Sequence, residues 1–376
     1  MAVCQSGREI TMKVLILNPI LYTAETDVIP QVESIKDTMI YTLCMGFLKN
    51  GDEPVLVAAD CYRPKKQEDY PFEIKWFPCS LPKICKPRCL PLLKGLGRFL
   101  REHGKEYDYI ISSEVFSLLT LSAAIHTKKK LIIWHELGAH NNLLKKIPSK
   151  VWYNVVARMF MRKIPVIPRS ERAAEFIRNY CDNVLPVYVD HGVDLDKIYC
   201  RKDKEDYFVV LSQLVPRKHI DEIIRRFAEF RKNGHEEYKL QIIGDGILRE
   251  QLKEQVRSLK EEENILFLGK CGHETVIPVL TGAKALLIYT SKDNSMVSIV
   301  ESIAAGTPVV TTPVPFNAGY IRENALGIVK DNWGKDELEE ISNRNAGYVE
   351  NCINYREMIS NGYFAKVFNQ VGGTLD

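Results

Sequence analysis

The sequence has 376 residues, 45% apolar and 26% charged, with a formal net charge of +3. This composition excludes a disordered or collagen-like chain, and the length exceeds what one hydrophobic core usually supports, so two domains are expected. No apolar run reaches the roughly 18 residues a bilayer span needs, and the leading MAVCQSGREITMKV lacks a signal-peptide core, so a cytoplasmic protein is expected.

In chain order, KVLILN (13–18), PVLVAA (54–59), YDYIIS (107–112), LIIWH (131–135) and IPVIP (164–168) read as buried strands. The second half repeats the pattern with YFVVLS (207–212), KLQIIG (239–244), NILFLG (264–269), KALLIYT (284–290) and PVVTT (308–312). DEIIRRFAEFRKNG (221–234) and LREQLKEQVRSLKEEE (248–263) carry apolar positions at helical spacing between them. Strand and helix in alternation predict an α/β protein of two doubly wound, Rossmann-like domains, with ligands at the carboxyl ends of the strands. The expected division is 1–190, 191–350, and a C-terminal helix within 351–376 able to cross back to the first domain. Residues 1–180 hold 27 Lys and Arg against 18 Asp and Glu, leaving 24 against 30 for the remainder, so the first half suits an anionic partner. The ten cysteines are irregularly spaced and read as reduced thiols; Cys79, Cys85 and Cys89 contain no CxxC pair.

Several chemistries fail on spacing. His135 and His140 in HELGAH are five apart, about 140° round a helix, whereas a zinc-protease pair needs four. GxxxxGK[ST] and GxSxG are absent, and Gly244-Asp245-Gly246 lacks the third glycine of a dinucleotide fingerprint because Arg249 stands there. Runs such as Lys128-Lys129-Lys130 come without the aromatic residues of an RNA-binding motif, so no nucleic-acid partner is expected. No acidic cluster suggests a metal site.

Five segments carry a resemblance: VDHGVD (189–194), PRKHIDEIIRRF, IIGDGILREQL, NILFLGKC and DNSMVSIVESIAAGTPVVTT. In order and spacing they resemble the retaining GT-B glycosyltransferases of family 4. The likeness covers roughly 187–330; in the first half it is thinner, resting on KVLILN, His135 and Ser170-Glu171. It implies two Rossmann-like domains with an interdomain cleft, a nucleoside diphosphate sugar as donor substrate, and no metal or other cofactor. It also gives Asp293 and Glu301 the positions of a paired-acid motif whose first carboxylate accepts from sugar hydroxyls and whose second accepts from the ribose. The same resemblance implies donor contacts at Gly244, Lys270 and Cys271, at Asn294, Ser295, Met296 and Val297, whose backbone opens a helix toward the diphosphate, and at His135. Ser298-x-x-Glu301 is equally a capping-box string, and His135 equally a core or capping histidine.

The departures are informative. Asp293 replaces the usual Glu, and Asn294-Ser295-Met296 replaces a Gly-Phe-Gly string. The family's phosphate-binding Arg and Lys correspond here to Gln213 and Lys218, so one cation is lost; Arg217 can compensate only if it points the same way as its neighbour. The implied reaction is retaining sugar transfer to an acceptor hydroxyl, with the departing phosphate taking the acceptor proton and Lys218, Asp293 and His135 at the reacting end. Two alternatives stay open: another GT-B enzyme, such as a sugar-nucleotide epimerase or phosphorylase, and a non-catalytic nucleotide-sugar-binding partner subunit. For the acceptor, KICKPRCLPLLKGLGRFLREHGK (83–105), seconded by KKIPSKVWYNVVARMFMRK (145–163), reads either as a helix packed into the first core or as a basic amphipathic element. The second reading predicts peripheral attachment to the anionic inner face of a membrane and a lipid-linked glycan or polysaccharide precursor as acceptor.

Overall fold

The computed structural model describes residues 11–19, 32–80, 91–141, 143–190, 192–293 and 295–375. The chain divides into two units: residues 1–192 with 361–376, and residues 193–360. The second unit thus runs ten residues beyond the expected 350, and the segment that returns to the first unit starts at Asn361.

The first unit is built on β1 (Lys13–Leu17), β2 (Glu53–Ala59), β3 (Glu73–Phe77), β6 (Tyr109–Ser113), β7 (Leu131–His135) and β8 (Val166–Pro168), with a two-residue antiparallel pair, β4 (Cys79–Ser80) and β5 (Leu92–Leu93), beside them. The six strands pair in parallel in the order β3-β2-β1-β6-β7-β8. The central strands are apolar because they are covered on both faces, and β1 is buried from Val14 to Leu17, whereas the edge strand β3 is only partly buried. Its helices are α1 (Met39–Lys49), α2 (Leu96–His103), α3 (Leu118–His126), α4 (Ile147–Val151, continuing as a π-helix over Trp152–Met161) and α5 (Glu171–Arg178). Leu93, Leu96 and Leu100 enter the core, so the described part of the basic stretch 83–105 takes the packed-helix alternative; residues 83–90 lie outside the described residues.

In the second unit β9 (Tyr207–Leu211), β10 (Lys239–Ile243), β11 (Ile265–Gly269), β12 (Ala285–Leu287), β13 (Val309–Thr311) and β14 (Gly327–Val329) form a parallel sheet in the order β11-β10-β9-β12-β13-β14. Strand residues alternate between two cores. Tyr207, Val209, Leu286 and Val309 pack under α8 (His273–Gly282), α9 (Val297–Ala304) and α12 (Asn345–Tyr355), whereas Phe208, Val210, Leu287 and Val310 pack under α6 (Ile220–Lys232), α7 (Arg249–Leu259) and α11 (Lys335–Asn343). A short α10 (Ala318–Glu323) precedes β14. In both sheets the winding reverses beside the first strand: β10 lies on one side of β9 and β12 on the other. That reversal opens a crevice at the carboxyl ends of β9 and β12.

The last helix, α13 (Asn361–Gly372), packs on α1. Phe368 meets Phe47 at 6.3 Å between ring centroids, and Asn369 joins Tyr109 Oη (2.7 Å) to Asp52 (2.7 Å). A Cβ at Gly372 would lie 2.3 Å from the Tyr109 ring, so this approach requires glycine.

Candidate active site

The crevice of the second unit is lined by the two loops that follow β9 and β12. After β9 the chain reaches a 3₁₀ turn, Pro216–Lys218, closed by His219 at φ 42°, and α6 starts immediately beyond. This tight turn brings adjacent side chains to one carboxylate. Arg217 Nη1 donates to Asp293 Oδ1 at 2.8 Å, Lys218 Nζ to Asp293 Oδ2 at 2.7 Å, and Thr290 Oγ1 to Asp293 Oδ2 at 2.6 Å. The Lys218 and Asp293 side chains are 9% and 11% exposed, so the pair is largely out of water. Two cations and one anion leave the cluster with a formal charge of +1, and Arg217 does point the way of its neighbour. The Ser291 amide donates to the Arg217 carbonyl (3.0 Å), tying the two loops together.

Gln213 is exposed on the same loop. Gly244, at φ 136°, lies against that loop so closely that a Cβ would meet Ser212 O at 1.8 Å; the Leu214 amide donates to Asp245 O (3.0 Å). Glycine at 244 therefore serves backbone contact between loops, which gives the GDG string a structural reason. Lys270 is exposed after β11, and the Cys271 thiol turns back to donate to Leu268 O.

Helix α9 begins at Val297 with Met296 as N-cap. Ser298 is its second helical residue, so the capping-box alternative for Ser298 and Glu301 does not occur, and the helix is also shorter than one starting at Asn294, which lies outside the described residues. Glu301 is buried, and His273 Nε2, on an exposed side chain, lies 3.7 Å from its Oε1. Burial pushes its carboxyl above the ordinary range, and His273 opposes this weakly. The Met296 amide does not face outward as expected: it donates to Asn317 Oδ1 at 2.6 Å, while Asn317 Nδ2 donates to Ser295 Oγ (3.1 Å) and Tyr320 Oη (2.6 Å). The amides of Val297 and Ser298 remain as first-turn donors without an intrahelical acceptor.

His135 belongs to the first unit, at the carboxyl end of β7. It is fully buried, with Nδ1 3.0 Å from Glu114 Oε2, within ion-pair distance but off hydrogen-bond alignment. Glu114 sits at φ 70° directly after β6 and accepts the Glu136 amide through Oε1 (2.7 Å). Asn317, Thr290 and Glu114 were not singled out from sequence. Thr290 and Glu114 carry the signal that marked His135, a polar residue at the end of a buried strand; Asn317 carries none. Among the described residues no group of three or more His, Cys, Asp or Glu is arranged to hold a metal ion, and no helix is long and apolar enough to cross a membrane.

Two six-stranded parallel sheets, each wound in both directions from its first strand, with a basic cluster at the reversal of the second, define a GT-B protein. Residues 194–363, a stretch that takes in almost all of the second unit, match the family described as Glycosyl transferases group 1. The alpha-monoglucosyldiacylglycerol synthase of Streptococcus pneumoniae is 25% identical over 263 residues, 62% of this chain and 58% of that protein. A Campylobacter jejuni alpha-1,4-N-acetyl-D-galactosaminyltransferase, named for a GalNAc-containing undecaprenyl-diphosphate substrate, is 25% identical over 213 residues, 56% of each chain. The chain therefore spans little more than half the length of these curated relatives. The structure of Anabaena Alr3699/HepE with UDP covers 97% of this chain and all of its own, at 14% identity and a TM-score of 0.64. That of the lipopolysaccharide outer core galactosyltransferase WaaB covers 96% and 98%, at 16% identity and 0.63. These likenesses show the fold.

Proposed function

We propose that the chain transfers a sugar from a nucleoside diphosphate sugar to an acceptor hydroxyl, with retention at the anomeric carbon. The observation that carries this is the Arg217–Lys218–Asp293 cluster at the switch point of the second sheet, together with the buried Glu301 on α9, the helix that follows the same strand, β12. In this reading Lys218 and Arg217 turn to the diphosphate as its charge builds, Asp293 is released to accept from donor-sugar hydroxyls, and Glu301 accepts from the ribose. The glycosidic C1–O bond to phosphate breaks as the acceptor oxygen bonds C1 on the same face, and the acceptor proton passes to the departing phosphate oxygen. The protein supplies position and charge. Two cations take the role a metal ion would otherwise fill, so the reading needs none, and chelation should leave the rate unchanged.

Two curated relatives carry lipids in their names, a diacylglycerol product and an undecaprenyl-diphosphate substrate, which supports a lipid-linked glycan as acceptor and a place at the inner face of the membrane. The test is incubation with UDP-glucose, UDP-N-acetylglucosamine and UDP-N-acetylgalactosamine in turn, with lipid-linked acceptors, reading nucleotide release and the anomeric coupling of the product by NMR. An axial-donor, axial-product pair is expected. Inverted product, an epimerised donor, or nucleotide binding without turnover would each overturn it.

A further inference from the structure

Outside the crevice, the helix formed by α4 and its π-helical continuation is built the wrong way round for a soluble surface. Its inner face is ordinary: Ser149, Trp152, Tyr153, Ala157 and Met161 are buried, and Trp152 Nε1 donates to Val115 O at 2.8 Å. Its outer face carries Ile147, Val151, Val155 and Met159 at 60%, 56%, 51% and 67% exposure. Four large apolar side chains at a constant interval of four residues form one continuous stripe, unlike the scattered single exposures any surface shows. Lys150, Asn154, Arg158 and Arg162 follow the same interval beside it, all exposed. Residues 145–163 hold six Lys and Arg and no Asp or Glu. Arg162 pairs with Asp182 and Arg158 donates to Asn179 O, whereas Lys145, Lys146 and Lys150 stand exposed at the helix's leading end.

We propose that this outer face docks the first unit on an anionic lipid bilayer, the Ile-Val-Val-Met stripe entering the boundary between head groups and acyl chains while the flanking lysines and arginines reach lipid phosphates. Charge complementarity selects the occupant. A second copy of this chain in a two-fold arrangement would set six cations against six, and a purely apolar partner would leave them unanswered. A basic rim around an apolar stripe is what an interfacial helix needs. The inference deepens the lipid-linked-acceptor reading and rests on it for its purpose, but it concerns a different helix from α2, whose leucines are spent on the core.

The test is flotation with vesicles of phosphatidylglycerol and phosphatidylcholine at about 1:1, in low salt, where screening is least, alongside nucleoside diphosphate binding by the same preparation. Wild type is expected to float and to be released by high salt. Val151→Ser with Val155→Ser and Met159→Ser should abolish flotation, and Lys150→Gln with Arg158→Gln should lower partitioning about 25-fold, roughly fivefold per charge. All substitutions are on an exposed face, and an unchanged Tm verifies folding. Arg98→Gln with Arg101→Gln, on α2, whose leucines pack into the core, should lower partitioning less than the Lys150 and Arg158 pair does. Wild type that binds nucleotide but does not float, or a stripe variant that floats as well as wild type, overturns the docking surface and leaves the transfer reading standing. Stripe-dependent dimerisation in sedimentation velocity overturns it in favour of a subunit interface. Flotation without nucleotide binding supports docking and counts against transfer.

Discussion

Replacing Lys218 and replacing Asp293 should have unequal effects, and the inequality can be worked out from the cluster. Asp293 has three donors, so Lys218→Met still leaves it Arg217 at 2.8 Å and Thr290 at 2.6 Å. The loss is one charge-assisted hydrogen bond, about 1.5–3 kcal/mol. Asp293→Asn removes the carboxylate from two cations at once, Lys218 Nζ at 2.7 Å and Arg217 Nη1 at 2.8 Å, in a largely buried pair, and that costs about 3–5 kcal/mol. The double variant removes both ends of the direct Lys218–Asp293 contact, so it should be less destabilised than the sum, with a coupling of about 1–3 kcal/mol. Urea denaturation of the three proteins with shared m-values measures this. Transfer rates should rank differently: Lys218→Met should lower kcat/KM by about 100- to 1,000-fold, because a cation aimed at the leaving diphosphate acts only as charge develops. Equal destabilisation by the two single substitutions, or additivity within about 0.5 kcal/mol, would refute the geometry; an unchanged kcat/KM in Lys218→Met would refute the assignment.

For Glu301, burial raises the carboxyl, so its stabilising contribution is full below the ordinary carboxylate value of 4.5 and is lost as pH rises through the folded-state value. Glu301→Gln should therefore be at least as stable as wild type near neutral pH, with a flatter stability profile, yet lose about 10- to 100-fold in nucleotide affinity by calorimetry; a loss of stability with affinity intact would contradict the ribose role. Because binding favours the ionised form, wild-type affinity should rise with pH upward from the acid side and then level, and proton release should be detectable in buffers of different ionisation enthalpy. Gln213→Arg, at an exposed position with room for the longer side chain, should hold or improve nucleoside diphosphate affinity, up to about fivefold, and weaker binding would mean the crevice is fitted to glutamine. Gly244→Ala drives a methyl to 1.8 Å from Ser212 O at φ 136°, so thermal melts should show a loss of at least about 1–3 kcal/mol.

The two sheets were legible because a buried parallel strand has to be an apolar run, and Val14–Leu17, Phe208–Val210 and Leu286–Leu287 are such runs. Lys218, Asp293 and Glu301 were assigned through the family resemblance; the structure brings Lys218 and Asp293 into contact and buries Glu301 on α9. What spacing could not convey was orientation. Arg217 reaches Asp293 because a 3₁₀ turn, not a strand or helix, carries it, and a strand would have sent adjacent side chains to opposite faces. The start of α9 was misjudged because its anchor is Asn317, 21 residues from Met296 in sequence. The basic stretch 83–105 and the helix at 147–161 look alike as strings of cations and leucine-like residues. Only packing tells that Leu96 and Leu100 face in while Val151 and Met159 face out.

The return of residues 361–376 to the first unit sets an order for biosynthesis. The second unit, continuous from 193 to 360, has all its strands once that segment has emerged from the ribosome. The first unit emerges earlier but must wait longer. Until α13 arrives, Phe47 lacks the ring that covers it and the Tyr109 hydroxyl lacks Asn369 Oδ1 as its hydrogen-bond acceptor. The nascent first sheet thus exposes an apolar flank while some 170 further residues are added, about ten to thirty seconds at ribosomal rates. Removing residues near one end of the sequence should consequently unravel the domain encoded at the other. A circular permutant that brings α13 ahead of β1 should shorten that interval and depend less on chaperones.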